Sequence, residues 1–283
     1  MPYLFLLLGS LLCLPLSPAG GDEPALAKKF KTGVEQHWAP VGPKLYAHVW
    51  ETSNLDYAEM LHWLEACGET EKLAIARPRH ANWTKSDGSP NTAFINAYRL
   101  APFHRYPVVN VSHAAARLYC DWLTEMYANN PKRKYERVRF RLPTAEEWTQ
   151  AARAGDTTRV FPWDGLYLQD CKAGWQANFK VIDQQEIIGV KPSAELHVVD
   201  LPGAGVSEAR ITAAVDTYSP NAYGIYNLSG NVAEMLAEPG RTKGGSWETT
   251  GYYLRIDAED PYAGWTEPQP GIGFRVFIEV LEE

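Results

Sequence analysis

The sequence predicts an α+β domain with few helices, short antiparallel strands and an unusually large amount of ordered loop. Only three segments combine a helix cap with an amphipathic stripe. One segment alternates charged and apolar residues with the period of a strand. Long turn-rich stretches hold most of the 22 glycines and 20 prolines. With 283 residues, 45% of them hydrophobic, the chain can bury a sizeable core, and we predict one large domain.

The first residues have the pattern of an export signal. Residues 3–16 form a short apolar run, and the small or turn-forming residues 17–21 follow it. We predict a signal peptide over 1–21, a polar linker over 22–34 and the domain over 35–283. The apolar run is shorter than the roughly 20 residues that span a bilayer, so no membrane span is predicted. The expected location is periplasmic, cell-surface or secreted.

Charge argues against a nucleic-acid partner. The net charge is −7 and the isoelectric point is near 5.6, so the chain lacks the overall positive field that attracts a phosphate backbone. Basic residues are concentrated only in 131–141. From Arg137 to Leu142 charged and apolar residues alternate, which predicts a half-buried strand whose arginines face solvent rather than a binding patch.

Three segments carry helix signals. Asn54, Ser112 and Thr144 can each serve as an N-cap. Thr144 is followed at the third position by Glu147, the pattern of a capping box. Glycines at 68 and 155 are the expected stops of the first and third helices. The expected inward faces are Tyr57, Met60, Leu61 and Leu64, then Ala115, Tyr119, Trp122 and Met126, and finally Trp148, Ala151 and Ala152.

Residues 161–220 show little periodicity but are rich in aromatic side chains, among them Trp163, Tyr167, Trp175 and Phe179. Buried aromatics can hold a chain that has little regular structure, so we predict an ordered loop region here.

Cysteine and histidine patterns indicate no metal or redox site. Cys67, Cys120 and Cys171 remain beyond the predicted signal peptide, and no Cys-x-x-Cys occurs. At most one disulfide can form among the three, and its existence is left open. Cys120 is expected to act as a small buried hydrophobe. The seven histidines show neither His-x-His nor His-x-x-x-His spacing.

Several phrases of the sequence resemble those of one family. They are RLPTAEEW (141–148), YGIYNLSGNVAEM (223–235), KGGSW (243–247) and GIGFRV (271–276). In this order they resemble the sulfatase-modifying-factor family, named for the formylglycine-generating enzyme. The resemblance covers about residues 35–280. It implies a fold similar to C-type lectins.

The resemblance fails at the residues that carry the family's chemistry. The family enzyme is a copper-dependent oxidase that uses two cysteines, five residues apart, after the GGS segment. The matching positions here are Thr249 and Leu254. A hydroxyl and an alkyl group cannot replace soft, oxidisable sulfur, so we expect neither copper nor formylglycine generation. Ser246 keeps the position of a pocket serine.

A calcium site is implied as well. The family holds Ca²⁺ in the segment matching 227–234. The corresponding ligands are the side chains of Asn227 and Glu234 and the backbone carbonyls of Gly230 and Val232, an all-oxygen set of the kind calcium prefers. A second family site begins at the position of Asn178, and its remaining ligands are left open.

The expected function is therefore a calcium-stabilised binding or scaffolding module. Its partner is expected to be a protein or peptide, with a carbohydrate as the alternative. Two alternatives are kept: an oxidoreductase or protein-modifying enzyme of the same family that uses other pocket residues, and a structural component of a cell-envelope assembly. The candidate ligand groove near the GGS segment comprises Ser246, Trp247, Tyr252, Tyr253 and Trp265.

Overall fold

The structure is a computed structural model, and it describes residues 37–79, 83, 89, 91, 101–170, 174–181 and 211–283. The predicted signal peptide and linker lie outside these residues, as does Cys171. Cys67 and Cys120 are not joined by a disulfide. In the part of the chain that is described, no helix is long and apolar enough to cross a membrane.

Within these ranges the chain forms four α-helices and seven β-strands, which confirms the α+β prediction. The helices are α1 (Asn54–Ala66), α2 (Thr70–Ala76), α3 (His113–Ala128) and α4 (Ala145–Arg153). The strands are β1 (Trp38–Gly42), β2 (Leu45–His48), β3 (Arg137–Arg141), β4 (Ala233–Met235), β5 (Thr242–Lys243), β6 (Ile272–Gly273) and β7 (Phe277–Glu282). Short 3-10 turns cover Ala101–Phe103 and Gly251–Leu254.

The strands form two sheets. The larger has the order β1-β2-β7-β3 and is antiparallel throughout, as predicted. The smaller has the order β5-β4-β6, and there β4 runs parallel to β6. The expectation of antiparallel strands was therefore wrong for this pair. Because parallel strands need a long connection, strands of two or three residues so far apart in sequence leave no local signal of their pairing.

Strand β3 confirms the alternation seen in the sequence. Val138 and Phe140 are buried, whereas Arg137 and Arg139 are exposed. Across the sheet, Arg139 pairs with Glu279 of β7. The basic segment is thus a solvated strand face compensated by acidic partners, as expected for half-buried strands.

The helix caps agree with two of the three predictions. Ser112 caps α3. Thr144 and Glu147 form the full capping box of α4, which ends at Ala154 and Gly155, both with positive φ. The inward stripes are buried or packed against the core, including Trp148, Ala151 and Ala152 at 0% exposure.

The predicted cap of α1 was wrong by one residue. Ser53 is the N-cap and forms a capping box with Asp56. The Asn54 amide instead donates to the carbonyl of Phe103 at 3.0 Å, which ties α1 to a distant turn. When two adjacent residues both have capping side chains, the sequence does not show which one is the N-cap, because a contact with a distant residue can engage one of them. Helix α2 was not predicted, since it is short and has no side-chain cap.

Aromatic residues hold the described part of the loop region. Phe161 and Trp163 stack with ring centroids 4.9 Å apart, and Phe179 meets Trp175 edge-on at 5.2 Å. Phe161 and Phe179 are buried in a small apolar cluster. Tyr167 does not fit the prediction, because it is 80% exposed and contributes only its carbonyl, to the Trp163 indole N–H.

Candidate functional site

The segment 227–234 occupies the centre of the domain and has an unusual backbone. Asn227, Gly230 and Asn231 all have positive φ values, of 52°, 80° and 62°. Asparagine and glycine tolerate this left-handed region best, so the residue types suit the conformation. Gly230 donates to the Gly244 carbonyl at 2.8 Å, and Asn231 donates to the Asn178 carbonyl at 2.7 Å. The segment is therefore tied to the chain on both sides.

Glu234 is completely buried on β4, and its charge is balanced by Arg275. The guanidinium Nη2 of Arg275 donates to Glu234 Oε1 at 2.6 Å, and its Nε contacts both carboxylate oxygens at 3.0 and 3.2 Å. The indole N–H of Trp148 donates to Oε2 at 2.8 Å. Each carboxylate oxygen thus accepts two hydrogen bonds, which is about its full capacity.

Glu51 is a second buried carboxylate in the same region. It accepts one N–H from the Asn227 amide at 3.0 Å and one from the Asn231 amide at 2.8 Å. Burial raises the pKa of Glu51 to about 8; nearby Arg275 and the two amides oppose this rise, and Glu234 adds to it. The charge of Arg275 therefore balances Glu234, whereas burial favours the neutral form of Glu51.

Sequence reasoning missed three members of this cluster, Glu51, Arg275 and Trp148. Arg275 and Trp148 lie in two of the phrases that marked the resemblance, GIGFRV and RLPTAEEW, and Glu51 lies just before the first predicted helix. Their meeting point could not be read from the sequence.

The implied calcium set can be tested against these contacts. The Oδ1 atom of Asn227 is buried without a hydrogen-bond partner, and so is Oδ1 of Asn178. A buried oxygen acceptor that has no hydrogen-bond donor is free to coordinate a cation. The Oδ1 atom of Asn227 is therefore suited to be a calcium ligand. Glu234 is already committed to Arg275 and Trp148, so its carboxylate offers the ion little spare capacity.

Few carboxylates are available for a metal in the described ranges. No group of three or more histidine, cysteine, aspartate or glutamate side chains is arranged there to hold an ion. A site around Asn227 would depend mainly on amide and backbone carbonyl oxygens, a set that suits calcium rather than a transition metal.

Of the two positions that match the family's cysteines, Thr249 lies two residues before the 3-10 turn Gly251–Leu254 and Leu254 is its last residue. Thr249 Oγ1 accepts from the Ser246 N–H at 2.8 Å and donates to the Ser246 carbonyl at 3.0 Å, so it closes a local turn. Leu254 is 0% exposed and packs in an apolar cluster with Phe161, Ala177 and Phe179. Both positions are thus used in packing and turn formation.

The predicted groove residues fall into two parts. Ser246 is buried and lies 2.7 Å from the Tyr262 hydroxyl, and Trp247 stacks on Trp83 with centroids 6.1 Å apart. Tyr252 and Tyr253 meet edge-on at 5.2 Å in the 3-10 turn. Tyr252 is 52% exposed, and the Arg255 guanidinium lies 3.9 Å from the centroid of the Tyr252 ring.

Trp265 belongs to the first part of the groove. It is 51% exposed, and its backbone N–H donates to the Tyr262 carbonyl at 2.9 Å. The exposed tryptophan and the Tyr262 phenol therefore share one turn beside Trp247.

Comparisons with known proteins agree with the resemblance seen in the sequence. The formylglycine-generating enzyme of Bos taurus is 29% identical over 163 residues, which cover 56% of this chain and 32% of that protein. The inactive C-alpha-formylglycine-generating enzyme 2 of Bos taurus is 33% identical over 135 residues, covering 47% and 33%. These alignments thus span about a third of the length of the relatives.

Among solved structures, CarF has a similar fold. The TM-score is 0.51 at 19% identity, over 84% of this chain and 87% of the CarF chain. The sulfatase-modifying factor enzyme 1-like domain profile matches residues 39–280. This match covers most of the chain, which is therefore a member of the sulfatase-modifying factor enzyme 1-like (FGE-sulfatase) domain family.

Proposed function

We propose that this protein is an exported member of its family that lacks cysteine-oxidase activity and acts as a calcium-stabilised binding or scaffolding module. The observation that carries the proposal is the environment of Thr249 and Leu254. A hydroxyl locked into a turn and a buried alkyl group provide neither a thiolate for copper nor a thiol for redox chemistry. The similarity to a relative named inactive agrees with it.

Other thiols are poor substitutes for the missing pair. Cys120 lies on the buried face of α3, and burial raises the pKa of its thiol far above the ordinary range. A neutral, buried thiol is a weak nucleophile and a weak metal ligand. Cys67 lies at the end of a different helix, α1, and Cys171 lies outside the described residues.

The peptide assay of the family enzyme tests the proposal directly. Purified mature protein is incubated with a sulfatase-motif cysteine peptide, oxygen, copper, calcium and reductant, and the peptide is measured by mass spectrometry. We expect no mass change, because positions 249 and 254 lack sulfur. The bovine formylglycine-generating enzyme serves as the positive control. Formylglycine product from this protein would show that the chemistry has moved to other residues.

The two alternative functions can each be tested separately. An oxidoreductase that uses other pocket residues would consume oxygen in the same assay even if the cysteine peptide stayed intact. A structural component of a cell-envelope assembly would co-purify with envelope proteins. A binding module, whose partner is a protein, a peptide or a carbohydrate, would do neither.

Calcium is proposed to stabilise the segment 227–234. We expect the free energy of unfolding of protein stripped with chelator to rise on calcium addition, by about 2.7 kcal/mol when free calcium reaches about 100 times its dissociation constant. The Asn227→Ala variant should lose this increment, since it lacks the buried Oδ1 that has no other partner. Urea denaturation with and without calcium measures both.

Asn129→Ala is the matched control, because Asn129 is an exposed asparagine at the end of α3. It should keep the full calcium increment. Wild-type stability that does not respond to calcium, or an equal response in Asn227→Ala, would count against the site.

A further inference from the structure

A second polar cluster extends from the buried groove residue Ser246 to the surface and is formed by Ser246, Glu248 and Tyr262. The Ser246 and Tyr262 hydroxyls are 2.7 Å apart, and Tyr262 donates to Glu248 Oε2 at 3.3 Å. The backbone N–H of Glu248 donates to Ser246 Oγ at 3.1 Å. Since Tyr262 donates to the carboxylate, the serine hydroxyl donates to Tyr262. The three groups form a hydrogen-bonded chain that ends at Glu248.

Gly271 provides the space for this arrangement. A Cβ atom at position 271 would overlap Tyr262 Oη and Glu248 Oε2 and would stand 3.0 Å from Ser246 Oγ. Gly271 has no side chain, and the polar ends of three side chains from two segments occupy the space that one would need. Because they converge on one point, the cluster has a defined geometry.

Glu248 lacks a counter-ion in this geometry. Within the described part of the chain its carboxylate interacts with the Tyr262 hydroxyl and with no charged side chain, and burial among its neighbours raises its pKa. Other carboxylates of the domain differ: Glu147 pairs with Arg141, and Glu234 with Arg275. Glu248 is nevertheless exposed as a residue, so a solute can reach it.

Two tryptophans lie on the same segments as the cluster. Trp247 directly precedes Glu248 and is held by its stack on Trp83 and by a 3.2 Å hydrogen bond from its indole to the Pro270 carbonyl, next to Gly271. Trp265, exposed by half, shares a turn with Tyr262. A carboxylate attracts organic cations through its charge, and an indole face attracts them through the ring quadrupole.

We infer that Glu248, hydrogen-bonded to Tyr262 and carried on the same segments as Trp247 and Trp265, is a binding site for an organic cation, the ammonium or guanidinium group of a ligand. The inference rests on the proposed binding function and names the chemical class of its ligand. One carboxylate and one phenol offer too few oxygens for calcium, which takes six to eight.

Calorimetric titration of the full mature protein tests the inference. The probes are N-acetyl-lysine methylamide, N-acetyl-arginine methylamide and the neutral N-acetyl-norleucine methylamide. We expect at least one cationic probe to bind about tenfold or more tightly than the neutral probe, as one desolvated charge pair of about 1.4 kcal/mol implies. Glu248→Gln should remove that advantage. Glu238→Gln, at an exposed carboxylate elsewhere, should leave it unchanged.

Gly271→Ala provides a second variant that deletes no functional group. The new methyl group overlaps the far ends of two flexible side chains, so the fold should persist by circular dichroism while Glu248 and Tyr262 move apart. Selectivity for the cationic probe should fall about tenfold, as in Glu248→Gln.

A further probe, n-butylammonium, distinguishes two sources of the cation. Binding as tight as that of the lysine probe would indicate a small amine ligand, and weaker binding would indicate a peptide side chain.

Two results would overturn the cation site. The first is equal affinity of wild-type protein for the lysine, arginine and norleucine probes, or no binding of any of them. The second is unchanged selectivity in Glu248→Gln. Neither result bears on the proposed loss of oxidase activity, which rests on positions 249 and 254 and is tested by the peptide assay.

Discussion

Arg275→Met is expected to lower the free energy of unfolding by about 3–5 kcal/mol, which is a large part of the stability of an ordinary domain. Arg275 is 0% exposed and supplies the cation for Glu234, and it also donates to the carbonyls of His48 and Tyr226 at 2.9 and 2.7 Å. Without it, the Glu234 carboxylate stays buried and loses the positive charge that pairs with it. Urea denaturation in the presence of chelator measures the loss without a contribution from calcium.

The control is Arg137→Met on β3. Arg137 pairs with Glu282 at the surface, where their side chains are 63% and 49% exposed, and such pairs contribute about 0–1 kcal/mol. Adding Glu234→Gln to Arg275→Met should restore part of the loss, since the stranded charge is then removed. Similar small losses for Arg275→Met and Arg137→Met would refute the view of Arg275 as the cation that balances the buried cluster.

Gly230→Ala is expected to destabilise the protein by about 2–5 kcal/mol and to abolish calcium stabilisation. A left-handed residue with a Cβ costs about 1–2 kcal/mol, and overlap in a packed interior costs about 1–3 kcal/mol more. At Gly230, φ is +80° and the Cβ would stand 2.5 Å from the Asn178 carbonyl oxygen. That oxygen also accepts the Asn231 N–H, so neither segment can move away without losing a hydrogen bond.

Gly224→Ala separates the two contributions. Gly224 has nearly the same φ, +78°, but a Cβ there would have no atom within 4 Å. It should cost only the conformational part, about 1–2 kcal/mol, and leave the calcium increment intact. If both variants lose the same stability by urea denaturation, the close approach of Gly230 to Asn178 has no energetic weight.

Elements with local signals were predicted well. The capping box of Thr144 and Glu147 lies within four residues, and the alternation of β3 lies within five, so short-range sterics and burial determine both. The error at α1 has the opposite cause. Asn54 has a suitable capping side chain, but a contact with Phe103, 49 residues away, takes it.

The candidate site was predicted in part. The resemblance to the family pointed to Asn227 and Glu234; the structure buries both side chains, and the Asn227 amide donates to Glu51. The same reasoning did not include Glu51, whose contact with Asn227 spans 176 positions, or Arg275, which reaches Glu234 across 41. Glu248 was passed over because a single exposed carboxylate is indistinguishable from a solvated one in a sequence.

The sequence by itself determined the family, the helix starts at Ser112 and Thr144, and the residues that stand at positions 249 and 254, because these depend on identity and on neighbours a few positions away. Only the tertiary structure decided how buried charges are balanced. Within the described residues it placed Arg275 close to Glu234 and Glu51 and gave Glu248 no charged partner. The free energy of a buried charge depends on the distance to its partners and on the exclusion of water, and both arise only when distant segments pack together.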